Sequence, residues 1–218
     1  MYSISNRVAS LLSPNQLGVG VKGGLEAIIH SVRHSINLNL NDMLILQVDL
    51  KNAFNCCDRD LAFAEVEKLF PDCLKWVMTC YGIEAELNFG NRVISSSTGF
   101  HQGDPLASLL FSLTLHPVIE QIKRENPHLL LNEWFLDDGV LIGKKQELQA
   151  AIDIIEEQGP SRGLYLSRSK STVWSASTIL PPDPLERQIP VVDDEGIVVL
   201  GSPVGSKVFE KESENDVR

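Results

Sequence analysis

The spacing of apolar positions along this chain switches between the period of a helix and the period of a strand. Segments with the helical period occupy residues 25–36, 58–70, 71–81, 105–125 and 146–159. Asp58 and the pair Asp104–Pro105 are suitable helix starts, because aspartate caps free backbone N–H groups and proline suits the first turn. Pro117 lies inside the long fourth helix and is expected to kink it.

Strand signals lie between these helices. The apolar run MLILQVDL, residues 43–50, predicts a buried strand, and shorter strands are predicted within 171–177 and 195–202. Hairpins are predicted around Gly90–Asn91 and around Asp138–Gly139, since such pairs favour tight turns. Hairpins imply antiparallel pairing, so the sequence predicts an α+β fold with helices on one face of the sheet.

Composition narrows the class of protein. The 218 residues are 43% hydrophobic, which is enough for one substantial core. The net charge of -10 is unfavourable for gripping nucleic-acid phosphates without help. No apolar run resembles a signal peptide or reaches the roughly 18 residues of a membrane span, so we expect no membrane partner. The cysteines form no CxxC pair and suit reduced thiols of an intracellular protein, nuclear or cytoplasmic: they are Cys56, Cys57, Cys73 and Cys80.

Three aspartates are the main candidates for chemistry. Asp49 ends the predicted strand 43–50, while Asp137 and Asp138 interrupt the apolar run EWFLDDGVLIG, residues 133–143. Burying neighbouring like charges is costly unless something neutralises them. If the two strands are neighbours in one sheet, the three carboxylates converge, and their oxygens suit Mg²⁺. The alternative for each motif alone is ordinary turn chemistry.

A third stretch, GFHQGDPLASLLF at residues 99–111, adds a loop of a different kind. Gly99 and Gly103 allow close backbone approach, Gln102 offers an amide, and the loop leads directly into a helix N-terminus. The alternative is a glycine-containing loop with a good helix cap. Gly18, Gly20 and Gly23 spell GxGxxG, but no strand precedes them, so a dinucleotide site is not expected.

In this order and spacing, DLKNAF (49–54), GFHQGDPLASLLF and FLDD (135–138) resemble the palm of reverse transcriptases. The nearest likeness is to the enzymes of non-LTR retrotransposons and group II introns. GLYLSRSKS (163–171) is similar to the next motif of the family, and LGSPVG (200–205) to the motif that positions the primer end. The segment 13–33 is similar to the last part of the fingers.

This resemblance implies a polymerase palm, which is a ferredoxin-like antiparallel sheet covered by helices on one face, with a partial fingers segment. The implied division is fingers at 1–42, palm at 43–178, a primer-grip-like hairpin at 179–206 and a disordered or frayed tail at 207–218. Upstream fingers strands and a thumb would lie outside these residues, so the chain is expected to be part of a larger polyprotein.

The resemblance also implies an activity. The family's RNA-directed DNA polymerases add deoxynucleoside triphosphates to a DNA primer 3′-OH on an RNA template, by two-metal nucleotidyl transfer. Two Mg²⁺ ions, with Mn²⁺ as a substitute, would be held by Asp49, Asp137 and Asp138. An alternative stays open: a truncated, inactive fragment that serves as an interaction module or is a relic. A palm-type nucleotide cyclase would need a GG[DE]EF-like hairpin, which FLDDG does not supply.

The remaining matches fall on the substrate side of the implied site. Phe54 occupies the position of the family's bulky sugar gate, with a core phenylalanine as the alternative. Lys170 matches a position near the leaving pyrophosphate, with a solvated lysine as the alternative. The implied nucleotide-binding residues are Leu50, Phe54, Gln102, Gly103 and Lys170. The implied template and primer contacts are Gly99, Pro105, Leu136, Leu200, Gly201 and Ser202.

Two positions depart from the family pattern. Ala107–Ser108 stand where the family often has Ser-Pro, and Leu136 stands where a small residue or methionine usually precedes the aspartate pair. Neither departure removes a carboxylate, but Leu136 is expected to alter packing near the primer end.

Overall fold

The computed structural model describes residues 4–38, 40, 42–176, 180–192 and 194–216, which form helices and strands in alternation. The helices are α1 Ser5–Leu12, α2 Gly24–Asn37, α3 Ala53–Cys56, α4 Arg59–Leu69, α5 Pro71–Tyr81, α6 Pro105–Glu125, α7 Lys145–Gln158 and α8 Lys207–Asp216. The strands are β1 Leu44–Val48, β2 Ala85–Phe89, β3 Arg92–Ser96, β4 Leu131–Phe135, β5 Asp138–Gly143, β6 Thr172–Trp174, β7 Gly196–Val199 and β8 Ser202–Gly205.

Four of these strands form the central sheet, in the order β4-β5-β1-β6, with every neighbouring pair antiparallel. In chain order, the strands of this sheet are β1, β4, β5 and β6. The first of them lies between the third and the fourth, and the second lies at an edge, which is the ferredoxin-like arrangement. Helices α3 to α6 connect β1 to β4, and α7 connects β5 to β6. The α+β fold with an antiparallel, ferredoxin-like sheet is therefore confirmed.

The sheet is buried on both faces, which explains why β1 reads as an apolar run that only Gln47 interrupts. Leu46 and Val48 face one core together with side chains of α4 to α7. Ile45 faces a second core, formed with Ile28 of α2 and Val199 of β7. Helices cover the first face as predicted, and α2 with the β7–β8 hairpin covers the other.

The predicted helix starts are confirmed. The Asp58 carboxylate accepts a hydrogen bond from the backbone N–H of Leu61 at 2.9 Å, and that of Asp104 accepts one from Leu106 at 2.9 Å. Helix α6 continues through Pro117 to Glu125, and the kink expected there stays a prediction. Within the described parts of the chain, no helix, α6 included, combines the length and apolar character that a membrane crossing requires.

The β4–β5 hairpin is confirmed, but its turn was predicted at the wrong pair. Asp138 is already the first residue of β5, so Leu136 and Asp137 form the two-residue loop. Gly139 lies inside the strand, opposite Trp134, and a Cβ atom at this position would be 2.7 Å from the Trp134 ring. The glycine makes room for the buried indole and does not form the turn.

The C-terminal segment also differs from the expected frayed tail. Residues 207–216 form α8, which packs on β8. The ring of Phe209 lies so close to Gly196 of β7 that a Cβ atom there would be 2.3 Å from it. This aromatic contact, together with an ion pair between Glu210 and Arg33 of α2, anchors a helix that the composition of the segment does not predict.

The first core predicts a large cost for shortening its central side chains. Leu141 of β5 is fully buried, so Leu141→Ala should lower the free energy of unfolding by about 3 kcal/mol through lost burial and a residual cavity. Val93 of β3 is 59% exposed, and Val93→Ala should cost about 0.5 kcal/mol or less. Urea unfolding measures both, and equal losses would contradict the assigned core.

Candidate active site

Strand register brings the three predicted aspartates to one end of the sheet. β1 pairs with β5 so that Val48 lies opposite Gly139. Asp49 directly follows Val48, and Asp138 directly precedes Gly139 at the start of β5. Asp137 belongs to the adjoining loop, so the expected convergence of strand end and hairpin turn is present.

The electrostatics of the two hairpin aspartates reflect both their burial and this convergence. Partial burial, together with the charges of Asp137 and Asp49, raises the pKa of Asp138 from 3.8 to about 6. Burial also raises the pKa of Asp137, and Asp49 contributes, although the Asp137 backbone N–H acts in the opposite direction. The charge of Asp49 therefore disfavours ionisation of both hairpin aspartates, and that of Asp137 disfavours ionisation of Asp138, as expected for like charges that share a site.

Asp49 carries an unsatisfied oxygen at this place. Its Oδ1 atom is buried and has no hydrogen-bond partner within the described part of the chain. A buried carboxylate oxygen without a donor is costly unless a cation reaches it. Together with the repulsion among the three carboxylates, this orphaned oxygen fits a divalent cation.

The described residues do not form a ready-made metal cage. Among them, no group of three or more His, Cys, Asp or Glu side chains is arranged as a complete ligand set. Mg²⁺ does not require such a complete set, because it usually takes one or two carboxylates and fills the remaining positions with water and substrate phosphates.

The segment 163–171 fixes the backbone of Asp49. The Asp49 N–H donates to Ser171 Oγ at 3.1 Å, and the Ser167 N–H donates to the Asp49 carbonyl at 2.8 Å. Lys170 is exposed on the turn directly before Ser171. The segment 163–171, which is similar to the family's next motif, thus lies beside Asp49. The role of the Lys170 ammonium stays a prediction.

Two predicted nucleotide-binding residues lie in the core. Leu50 is buried and forms an isolated bridge with Leu166. Phe54 is 8% exposed and stacks on Phe111 of α6, with ring centroids 4.7 Å apart and planes 16° apart. Phe54 therefore lies where the alternative interpretation, a phenylalanine of the core, places it. Its role as a sugar gate stays a prediction.

The loop before α6 is fixed at its first residues. Gly99 has φ of 67°, and a Cβ atom there would lie 2.3 Å from the Asn55 carbonyl oxygen, so only glycine fits. Its N–H donates to the Cys57 carbonyl, and the N–H of Phe100 donates to the Phe54 carbonyl. Farther along the loop, Gln102, Gly103 and Pro105 are exposed at the N-terminus of α6.

Arg59 and Tyr81 stabilise this loop, and neither is suggested by the sequence pattern. The buried Arg59 guanidinium donates to the carbonyls of Gly99 at 2.8 Å and Ser96 at 2.9 Å, and lies over the Tyr81 ring. The Tyr81 hydroxyl donates to Asp104 at 2.5 Å, and burial with this bond raises the pKa of Tyr81 to about 12. These partners lie far apart in sequence, so no local signal marks them.

The predicted primer-side residues form a hairpin loop. Leu200 and Gly201, with φ of 49° and 78°, join β7 to β8, and Ser202 pairs with Val199. The Gln47 side chain of β1 donates to the Val198 carbonyl at 2.7 Å, which ties the hairpin to the strand that leads to Asp49. Residues 177–179, where the predicted palm ends and the predicted primer grip begins, lie outside the described residues.

Comparison with known proteins agrees with this geometry. Residues 2–204 match the profile of the family described as reverse transcriptase (RNA-dependent DNA polymerase). Telomerase from Candida albicans, in complex with a TWJ fragment of telomeric RNA, is similar with a TM-score of 0.66 and 11% identity over 95% of this chain. Apo telomerase from Candida tropicalis, truncated from its C-terminal domain, gives the same values.

This chain corresponds to less than half the length of either telomerase chain. The chain spans 37% of the first telomerase chain and 43% of the second. At 11% identity, the likeness to these solved structures shows the fold alone. No curated protein matches the chain.

The raised pKa of Asp138 predicts a pH-dependent loss of stability. Between pH 3.8 and about 6 the folded state retains a proton that the unfolded state has released, so the free energy of unfolding falls as pH rises. Below this window both states are protonated, and above it both are ionised. The stability advantage of Asp138→Asn over the unaltered chain should therefore grow through the window and then level off.

Urea unfolding in EDTA, at intervals from about pH 4 to about pH 7, measures this advantage. Asp60→Asn is the matched control, because Asp60 is exposed on α4 away from the three carboxylates. Its difference from the unaltered chain should not follow the same course. A constant difference for Asp138→Asn across the whole range would refute the electrostatic coupling.

Proposed function

Because the chain belongs to the reverse transcriptase family, we propose that it carries the palm active site of an RNA-directed DNA polymerase. The reaction joins a primer 3′-OH to the α-phosphorus of a deoxynucleoside triphosphate and releases pyrophosphate. One observation carries the proposal: Asp49, Asp137 and Asp138 converge at one end of a ferredoxin-like sheet, with an orphaned Asp49 oxygen among them. A retroelement origin, similar to non-LTR retrotransposons and group II introns, is part of the proposal and rests on the motifs.

Asp49 and Asp137 would hold two Mg²⁺ ions, for which Mn²⁺ can substitute, and Asp138 would act more indirectly. When bound, such ions activate the attacking hydroxyl and stabilise the leaving pyrophosphate. The protein supplies position. β1 and the Ser171 hydroxyl fix the backbone of Asp49, while the β4–β5 hairpin fixes the backbones of Asp137 and Asp138.

The exposed loop at the start of α6 would receive the template and the incoming nucleotide. Gly99 anchors the loop, while Gln102, Gly103 and Pro105 present exposed atoms on the side that the protein leaves open. The exposed Lys170 would neutralise charge on the departing pyrophosphate. Leu50 is buried, so its part in nucleotide binding would come from its backbone.

The primer end would lie against the β7–β8 hairpin. Leu200 and Gly201 form its loop, Ser202 begins β8 directly after it, and Gln47 connects the hairpin to β1. Leu136, directly before Asp137, would contact the primer from the other side.

RNA template and DNA primer are the proposed partners, with further protein segments supplying much of the grip. The Candida albicans telomerase chain, far longer than this one, is in complex with a fragment of telomeric RNA. A net charge of -10 disfavours phosphate binding by these residues alone. We therefore propose that fingers and thumb segments of a larger polyprotein carry the basic surface.

The sugar-gate role of Phe54 can be separated from its place in the core. Phe54→Val and Phe111→Val each remove one ring of the same buried stack, so both should lower the free energy of unfolding by about 2 kcal/mol or more. Only Phe54→Val should raise ribonucleotide incorporation relative to deoxynucleotide incorporation. Equal ribonucleotide use by the two variants would assign Phe54 to the core alone.

The catalytic assignment predicts that Asp137→Asn abolishes primer extension on an RNA template in the presence of Mg²⁺. For the activity measurement, residues 13–205 replace the corresponding segment of a longer reverse transcriptase. The exposed Asp60→Asn is the control and should extend primers normally. Unchanged extension by Asp137→Asn would refute the proposal.

Mn²⁺ binding by the 218-residue chain provides a second measurement that does not depend on activity. Binding should weaken in both Asp49→Asn and Asp137→Asn and not in Asp60→Asn. The alternative, an inactive interaction module, predicts two other results. The chain would show no Mn²⁺ binding that depends on these aspartates, and it would extend no primer when placed in the longer enzyme.

A further inference from the structure

A buried glutamine lies against the turn that carries the aspartate pair. Gln16 is 0% exposed and belongs to the segment between α1 and α2, alongside the edge strand β4. The Trp134 N–H donates to the Asn15 carbonyl at 2.7 Å, and the Leu17 N–H donates to the Trp134 carbonyl at 2.8 Å. These bonds form a short parallel bridge that fixes Gln16 beside the end of β4.

The side-chain amide of Gln16 uses both of its ends on the same turn residue. Its Nε2 donates to the Leu136 carbonyl at 3.0 Å, and its Oε1 accepts from the Leu136 N–H at 2.8 Å. Oε1 also accepts from the Gly18 N–H at 3.0 Å. Leu136 therefore has its backbone donor and acceptor paired by a side chain that is more than 100 residues away in sequence.

Leu136 is a residue whose backbone needs such support. Its φ is 56°, in the left-handed region that a branched side chain rarely adopts and that stores local strain. The next two residues of the chain are Asp137 and Asp138. Any relaxation of Leu136 would therefore change the direction in which the two carboxylates point.

Gly18 provides an independent sign that this contact is close. A Cβ atom at Gly18 would lie 2.7 Å from the Leu136 nitrogen and 2.8 Å from the Leu136 Cγ. Only a glycine allows the segment to approach the turn closely enough for the Gln16 bonds to form. The glycine that opens the GxGxxG pattern thus has a packing role in place of a dinucleotide-binding one.

We propose that Gln16 is a positioning residue: its amide holds the Leu136 backbone and thereby sets the direction of the Asp137 and Asp138 carboxylates. Gln16 touches neither substrate nor metal and acts only through the turn. The assignment of these aspartates to metal binding rests on the proposed function, whereas the hold on Leu136 rests on the hydrogen bonds alone.

Gln16→Met removes both ends of the amide while keeping similar length and volume. The exchange rate of the Leu136 amide hydrogen, followed by NMR in the 218-residue chain, should rise about tenfold, as expected for loss of one buried hydrogen bond. The Leu17 amide, which bonds to the Trp134 carbonyl, should keep its protection. Mn²⁺ binding, measured by electron paramagnetic resonance, should weaken about tenfold, typical for loss of an outer-shell contact.

Gln149→Met is the matched control. Gln149 is another partly buried glutamine whose Nε2 donates to a backbone carbonyl, that of Leu185, at 2.9 Å. It lies on α7 and makes no bond to the aspartate turn. This variant should change neither Leu136 exchange nor Mn²⁺ affinity, even if it lowers the free energy of unfolding as much as Gln16→Met does.

A rescue experiment distinguishes positioning from a general packing role. Glycine adopts a positive φ without strain, so adding Leu136→Gly to Gln16→Met should restore Mn²⁺ affinity to within about threefold of the unaltered chain. A residue that only fills the core would show no such recovery. If Gln16→Met does not fold, Gly18→Ala leaves the glutamine in place, pushes the turn away, and should produce the same two changes.

The outcomes separate the two proposals. Unchanged Leu136 exchange and unchanged Mn²⁺ affinity in folded Gln16→Met would overturn the positioning role. If the unaltered chain shows no Mn²⁺ binding that depends on Asp49 and Asp137, the proposed metal site fails, and Leu136 exchange alone then decides whether Gln16 holds the turn. Faster Leu136 exchange with unchanged Mn²⁺ affinity would also overturn the positioning role, because the Gln16 bonds would then not affect the direction of the carboxylates.

Discussion

Repulsion among carboxylates at the end of a buried sheet is the constraint on which the rest of this structure depends. The sheet is apolar on both faces, yet it ends in three aspartates, and burial together with the charge of Asp49 raises the pKa of both Asp137 and Asp138. Their backbones must be held firmly, because nothing in the arrangement of charges holds them together. The hydrogen bonds of Ser171 to Asp49 and of Gln16 to Leu136 provide this hold from opposite sides.

The features that follow from local sequence were predictable. Helix starts at Asp58 and Asp104 follow from capping chemistry within three residues, and the buried strand β1 follows from a run of apolar residues. The approach of Asp49 to Asp137 and Asp138 was predictable only once the hairpin was assumed to neighbour β1. The resemblance to the reverse transcriptase palm supplied that neighbour relation, because periodicity alone gives no strand order.

Other features could not be predicted, because they depend on contacts between distant segments. Gly139 looked like a turn residue, but its role is set by the Trp134 ring across the strand pair. The polar composition of the C-terminal segment predicted a frayed tail at 207–218, but Phe209 packs near Gly196 and Glu210 pairs with Arg33 of α2, and α8 extends over Lys207–Asp216. Arg59 resembles any charged residue at a helix start, and only the folded chain shows that its guanidinium binds the loop before α6.

The bond from Gln47 to the Val198 carbonyl has a mechanical consequence. Gln47 lies on β1 only two residues before Asp49, and Val198 lies on β7 only two residues before the hairpin loop. The amide therefore adds a directional bond to the apolar contacts by which Val199 of the hairpin packs with Ile45 of β1. A displacement of the β7–β8 loop would thus be transmitted to the strand that carries Asp49 at its end.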